Sequence, residues 1–579
     1  KRPMIRLTPC PKQYSLDQDK AVSPEQTLAR VRERLAGLPL AILSETRRID
    51  AGRLGIPVYL SVCGHDAKAV MPTRKQMGKG ATPAQAEASA LMELMERYGF
   101  FSFWQRLPEA AQATWSEAER LFGDSLMPLA EIAAACHDSI GPEQARRIMD
   151  LRAWTFVPAT RILDGATVRV PLDLFRRLGE FNGSSAGNTD VESLLQGACE
   201  LVERHVCCLA DREQPELPTI DISPDDAADP VLADLLRKFR DNGVTLLLKD
   251  FSLGMPVPTV AALAYDPATF PDRSEIVFTA GTAASPAKAA VRAITEVAQL
   301  AGDFISSACY EASGLPKYAS LDQTAWLLAG PRVPLDSLPS VEADDILDEL
   351  RALAGGLGQR EYTLYAVSTT NPDTGVPTHY SFVPGFHFRE RDKNASLGLF
   401  AGRLICEEAD APQAEAALRV LADIYPDAHF LPFFRGMLAL RADDRPTARQ
   451  CFARAEAVQP EDDARALAAF YHAYVHTLDN DWEGALPGLD RAAGLSPDMK
   501  EFLNLRGVCL FKLGRYDAAA RDFQDILARL DKGSAVDLQN LGLCHKFMGN
   551  IKEARHFLSA ALALDPALDK AREHLQELA

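Results

Sequence analysis

One pattern restricts the fold of this 579-residue chain more than any other, a helix-spaced polar stripe that occurs three times. The first copy carries Ser89, Glu93 and Glu96. A shift of 107 residues gives Gln196, Glu200 and Glu203, and a shift of 203 gives Arg292, Glu296 and Gln299. Residues at i, i+4 and i+7 of an α-helix lie within an arc of about 60°, so each copy makes a narrow stripe. Its flanks are apolar: Ala88, Leu91, Met92 and Met95 in the first copy, Leu194, Ala198, Leu201 and Val202 in the second, Val291, Ile294, Val297 and Leu300 in the third. A solvated helix face carries mixed charges over a wider arc, so stripes this narrow are read as lining a cavity.

If the three helices converge, Glu93, Glu96, Glu200, Glu203 and Glu296 share that cavity. Two carboxylates about 4 Å apart repel by about 4 kcal/mol at an effective dielectric constant of about 20, so something positive must sit among them. Hard oxygen ligands in this number suit Mg²⁺, which usually comes with the phosphates of a nucleotide. Arg292, in the slot held by Ser89 and Gln196 in the other copies, is placed to meet a phosphate oxygen. Arg97 and Arg204 each follow a glutamate by four residues, so a phosphate contact and a structural ion pair are equally open.

These helices resemble the three nucleotide and metal motifs of the YcaO superfamily: Ser89-x-x-x-Glu93-x-x-Glu96-Arg97, Gln196-x-x-x-Glu200-x-x-Glu203-Arg204 and Arg292-x-x-x-Glu296. The loops Gly78 to Thr82 and Asn182 to Thr189 resemble those leading into the first two motifs. Lys20 and Thr27 resemble an early Lys/Ser pair at the nucleotide, with Thr in place of Ser. The resemblance covers roughly residues 15 to 405. It implies ATP and Mg²⁺ as cofactors. It assigns Lys20, Thr27, Lys79, Ser89, Asn188, Gln196, Arg204, Arg292 and Glu296 to ATP, and Glu93, Glu96, Glu200, Glu203 and Glu296 to the metal. It also implies ATP-dependent activation of a peptide-bond oxygen. After a nucleophile adds to the carbonyl carbon, the oxygen takes the γ-phosphoryl group and leaves as phosphate, a reaction served by positioning and charge neutralisation. No residue stands out as a general base. Azoline-forming relatives carry a proline-rich C-terminus and this chain ends Leu575-Gln-Glu-Leu-Ala579, so a thioamide or other non-azoline product is expected.

The length calls for two or three domains. Strand-like runs at 57–63, 154–158, 167–171, 244–249, 259–265, 275–279, 361–367 and 380–383 alternate irregularly with helices, and a capped helix is expected over 23–37. This predicts an α+β core over 1–405, built from duplicated strand-loop-helix units, with helical insertions at about 105–150 and 211–242 and a connector at 331–345. A formal charge of −18 without a basic run argues against a nucleic-acid protein. The eleven cysteines form no CxxC and read as reduced, buried residues, leaving only Cys207-Cys208 to suggest a metal or redox site. No secretory h-region and no apolar run near 18 residues occurs, so a cytoplasmic protein without membrane contact is expected.

From residue 411 to 579 the pattern is helix after helix. Gly436, Ala473, Gly507 and Gly542 recur at spacings of 37, 34 and 35, each followed by a second helix with Ala, a large apolar residue, Ala and often Pro. This resembles the tetratricopeptide repeat. The copy near Ala519 departs from it, with Ile526 and Asp531 where Ala and Pro are usual. Stacked repeats imply a concave surface for a peptide or partner protein, or else an appendage for dimerisation or stability, and a homodimer is expected. Besides an enzyme acting on a peptide or protein, the sequence allows an ATP-binding scaffold that recruits partners. A phosphotransferase or ligase of another kind is disfavoured by the absence of a Gly-x-x-x-x-Gly-Lys-Ser/Thr loop.

Overall fold

The computed structural model describes residues 5–50, 53–107, 109–301, 315–391 and 393–578. The expectations for the Leu300 side chain and for Cys309 fall outside them. The chain divides into two compact units, Lys1–Leu397 and Gly398–Ala579. No helix among the described residues is long and apolar enough to cross a membrane.

The first unit is an α+β core with a strand-loop-helix unit used three times. Strand Lys75–Lys79 leads into helix Pro83–Arg106, strand Ser184–Ala186 into Asp190–Glu213, and strand Val277–Thr282 into Pro286–Ala301. Each strand belongs to a different sheet: an antiparallel three-stranded one, a five-stranded one, and a six-stranded one in which Ser184–Ala186 is an edge. The helix starts repeat as well. Thr82 and Thr189 cap the first two helices by accepting from Gln85 N and Glu192 N, and Pro83 and Pro286 occupy the first turn of the first and third.

Each motif helix is held by its own apolar core. Leu91, Leu94 and Met95 pack with Leu28 and Val31 of helix Pro24–Ala36. Leu194, Leu201 and Val202 pack with Leu350 and Leu353 of helix Ile346–Gly358. Val291, Ile294 and Val297 pack with Leu248 and Phe239. The polar stripe is what remains uncovered.

Strand and helix touch through a small pair at one repeated position: Gly78 with Ala90, Ser185 with Gly197, Gly281 with Ala293. A Cβ on Gly78 or Gly281 would fall into the backbone of the facing helix, and in the middle unit the glycine has moved to the helix, where a Cβ would lie 2.8 Å from Ser185 Oγ. Ser61 and Thr279 add hydroxyl bonds to the carbonyls of Ala90 and Ala293 at 2.7 and 2.8 Å.

Several expectations need correction. The stretches 78–82 and 182–189 are not purely loops, because Lys75–Lys79 and Ser184–Ala186 are strands. Both are short and polar or Gly-containing, so their ladders come from tertiary neighbours rather than local propensity. Strand Tyr365–Ser368 begins later than 361, since Glu361 has a left-handed φ of 63° and Tyr362 N still bonds the carbonyl of Leu357. The insertions carry short strands, Ala111–Ala113 and Thr219–Ile220, beside their helices. No disulfide is formed by the described cysteines, and Cys207 and Cys208 are buried thiols; Cys451 is half-buried rather than buried.

The second unit stacks antiparallel helix pairs, Phe430–Arg441 with Arg445–Val458, Asp462–Leu478 with Trp482–Leu495, Lys500–Lys512 with Tyr516–Asp525, and Ala535–Phe547 with Ile551–Leu564. Helix Leu397–Glu408 spans position 405, and its Gly398 and Gly402 fit against Tyr425 and Phe434 of the second unit. The recurring small residue has a mechanical reason: a Cβ at Gly436, Gly507 or Gly542 would lie 2.8 Å from Phe452, Phe523 or Leu558 of the paired helix. Where the third copy departs, Ile526–Leu530 forms a π-helical turn, with Ile526 buried and Asp531 paired to Lys500 at 2.8 Å.

Gly281→Ala should therefore force strand and helix apart. We expect a loss of about 1–3 kcal/mol, seen as a lower unfolding temperature of the first unit, whereas Gly494→Ala, in helix Trp482–Leu495 where a Cβ meets nothing, should cause no loss of stability.

Candidate functional site

The three stripes face one cleft of about 1360 Å³. All thirteen side chains that the resemblance assigns to ATP or the metal line it: Lys20, Thr27, Lys79, Ser89, Glu93, Glu96, Asn188, Gln196, Glu200, Glu203, Arg204, Arg292 and Glu296. Convergence follows from the anchoring of each helix by its own core, which turns the stripe toward the cleft.

The charges are interleaved. Arg97 lies 3.8 Å from Glu93 and 3.6 Å from Glu96, Arg204 lies 3.4 Å from Glu200, and Lys79 pairs with Glu296. Glu203 accepts from Thr282 N at 2.9 Å, and Arg292 donates to Gln196 at 3.0 Å. Thr27 donates to Asn188 at 3.0 Å. Both arginines left open by the sequence thus make the i, i+4 pair in this structure.

The pairing does not balance the site. Burial pushes the Glu96 carboxyl up to about 8, with Glu200 and Glu93 adding to the rise and Arg97 opposing it. Burial likewise raises Glu93 and Glu203. Lys79 is brought down to about 7 by burial and then by Arg292. Carboxylates that resist ionisation while a cluster of arginines surrounds them describe a cleft built for a further cation and a further anion together.

The donor set fits Mg²⁺ with a nucleoside triphosphate. Hard oxygens from Glu93, Glu96, Glu200, Glu203 and Glu296 suit the metal, and the buried Nε atoms of Arg204 and Arg292 find no hydrogen-bond partner among the described residues. No group of three or more His, Cys, Asp or Glu side chains among the described residues forms a ready metal cage. Mg²⁺ commonly takes one or two carboxylates and completes its shell with phosphate oxygens and water, so a cage is not required.

Sequence reasoning missed one further turn of the stripe. Gln85, Glu192 and Lys288 are related by the same 107 and 203 shifts and sit four residues before Ser89, Gln196 and Arg292. Two of them hold the segment that carries Lys20. Glu192 accepts from Ala21 N at 2.8 Å and lies 3.8 Å from Lys20, while Lys288 donates to the carbonyls of Ser15 and Leu16 at 2.7 and 2.8 Å. Asp17 completes the attachment by accepting from Ala81 N at 3.0 Å. Residues 15–21 are thereby pinned to the start of all three units. The signal was present in the repeat itself, but mixed Gln, Glu and Lys in one slot concealed it.

Together these features define a cleft for a metal-bound triphosphate on a mixed α/β frame. A family described as YcaO cyclodehydratase, ATP- and Mg²⁺-binding, matches residues 77–387, and a tetratricopeptide repeat matches residues 538–568. The chain belongs to the YcaO family, whose ligands are ATP and Mg²⁺. Among curated relatives it is similar to an uncharacterized protein of Methanothermobacter thermautotrophicus, 28% identical over an alignment of 313 residues that covers 48% of this chain and 70% of the relative. It is also similar to the ribosomal protein S12 methylthiotransferase accessory factor YcaO of Escherichia coli, 28% identical over 275 residues, 43% of this chain and 44% of that protein. A solved heterocyclase in complex with substrate and cofactor shares the fold at a TM-score of 0.53 and 21% identity, over 67% of this chain and 55% of its own. The chain thus spans about half the length of the last two.

The shifted groups fix a pH dependence. Glu96 holds its proton in the folded chain up to about 8 against an ordinary 4.5, so ligand-free stability falls as pH rises through that window. Lys79, at about 7 against an ordinary 10.5, loses its proton early on folding, so stability rises again above about 7. Thermal unfolding of the ligand-free protein should show a minimum near pH 7 to 8 whose acid side, to which Glu93 and Glu203 also contribute, becomes less steep in Glu96→Gln; a curve unchanged by Glu96→Gln would contradict this origin.

Proposed function

We propose that this chain uses ATP and Mg²⁺ to phosphorylate the oxygen of a peptide backbone amide, so that a sulfur donor or another nucleophile replaces it. The observation that carries this reading is the meeting of three separately anchored carboxylate helices, with Arg204, Arg292, Lys79 and Lys20, in one cleft. In this reading Glu93, Glu96, Glu200, Glu203 and Glu296 hold Mg²⁺, which supplies charge neutralisation at the phosphates. Arg292, Lys20 and Lys79 take up triphosphate charge. Ser89, Thr27, Asn188 and Gln196 supply neutral hydrogen bonds.

The atoms balance without a redox partner. The nucleophile adds to the carbonyl carbon, the resulting oxygen anion attacks the γ-phosphorus, ADP leaves, and collapse expels phosphate. Oxygen exchanged for sulfur from a sulfide-level donor is the product we expect, in preference to an azoline. The repeats of residues 411–579 are proposed to recruit the peptide, protein substrate or a helper, in a homodimer. The free thiols among the described cysteines support a reducing compartment such as the cytoplasm.

Mass spectrometry of peptides from the protein's own cellular neighbourhood, after incubation with ATP, Mg²⁺ and sulfide, tests the reaction. A gain of about 16 Da means thioamide, a loss of about 18 Da means azoline, and no ATP-dependent change would leave a scaffold. Glu200→Gln should slow peptide-dependent phosphate release by at least about a hundredfold while leaving the fold intact by circular dichroism.

A further inference from the structure

Beyond the nucleotide cleft, one exposed ring stands next to its carboxylates. Phe181 is 41% exposed and is the only exposed Phe, Tyr or Trp side chain among the described residues of the first unit. Its face is covered by the Arg97 guanidinium, 5.2 Å from the ring centroid, and that same guanidinium lies 3.8 Å from Glu93 and 3.6 Å from Glu96. One side chain therefore separates the ring from the proposed metal ligands.

The ring is held rather than loose. Phe100 and Phe101 meet it edge to face at centroid distances of 5.7 and 5.4 Å. Its backbone sits in a tight turn, with Ser184 N donating to the Phe181 carbonyl at 3.0 Å and Gly183 at a left-handed φ of 88°. The preceding Glu180 has φ 49° and ψ −110°, a conformation that L-residues rarely adopt. Backbone outliers of this kind persist where the surroundings enforce them, commonly beside functional sites. Nearby, the buried indole nitrogen of Trp104 finds no hydrogen-bond partner among the described residues, and Arg176 covers that ring at 4.3 Å.

We infer that Phe181, with Phe100 and Phe101 packed against it, is the docking surface for an aromatic or large apolar side chain of the peptide substrate, close in sequence to the amide that is activated. The inference rests on the proposed reaction. A backbone amide brought to the phosphates necessarily carries its neighbouring side chains to the rim of the cleft. Beside Arg97 at that rim they meet the Phe181 ring, covered by the guanidinium on one face and flanked by Phe100 and Phe101, and an aromatic side chain would cover what is still exposed. Arg97 then serves two surfaces, the carboxylates and the Phe181 ring.

The test uses the full chain and the peptides acetyl-Gly-Ser-X-Gly-Ser-amide, with X being Phe, Tyr, Leu, Ser, Asp or Lys, observed by saturation-transfer NMR with and without Mg²⁺ and a non-hydrolysable ATP analogue. The expected result is transfer to the Phe and Tyr peptides about tenfold above that to Ser and Asp, abolished by Phe181→Ser and retained in part by Phe181→Leu. Equal transfer to all peptides, none to any of them, or an aromatic preference that survives Phe181→Ser overturns the inference. So does sedimentation showing that Phe181→Ser turns a dimer into a monomer, because the ring would then be covered by a second copy. An aromatic preference governed by Phe181 in a chain that binds no ATP analogue would keep the docking surface and sink the ATP reading instead.

Discussion

The structure depends on keeping carboxylates from three different helices in one half-buried cleft. That arrangement opposes itself: the groups repel one another, and burial raises Glu93, Glu96 and Glu203 away from their ionised forms. Two features make it tolerable. Lys79, Arg97, Arg204 and Arg292 are threaded between the acids, and each helix is fastened from behind by a separate apolar core. Without a ligand the acids are therefore kept from ionising fully rather than driven apart, and a cation with its phosphates is the ligand that would let them ionise.

The frame is rigid because of close contacts that leave little room. Gly78, Gly281 and Gly197 let each strand lie directly against its helix, and Ser61 and Thr279 tie the sheets to the mid-helix carbonyls. At the open end, residues 15–21 bridge all three units through Asp17, Glu192 and Lys288. The segment that delivers Lys20 is thus fixed by the same helices that deliver the glutamates. Geometry of this kind, set before the ligand arrives, is what electrostatic catalysis of phosphoryl transfer requires.

The stripes were legible in sequence because helical periodicity and a fixed offset are both local, and the apolar flanks told which face was turned inward. The repeat helices of the second unit were legible for the same reason: Gly436, Gly507 and Gly542 mark where Phe452, Phe523 and Leu558 come down. What escaped were features whose cause lies elsewhere in the chain. Lys75–Lys79 and Ser184–Ala186 are strands only because a sheet edge accepts them. Glu192 and Lys288 matter through partners more than 170 residues away. Phe181 looks like any turn residue until Arg97 and Phe100 are brought beside it.

The central claim is that carboxylates from separate helices act on one shared metal-bound triphosphate. Calorimetry of Mg·ATP binding to Glu93→Gln, Glu296→Gln and the double variant tests it most directly. Glutamates that share the ligand should give a double loss well short of the sum of the single losses, with a coupling of about 1 kcal/mol or more. Losses that add to within about 0.5 kcal/mol would mean that the two helices act on separate sites, and the account would be wrong.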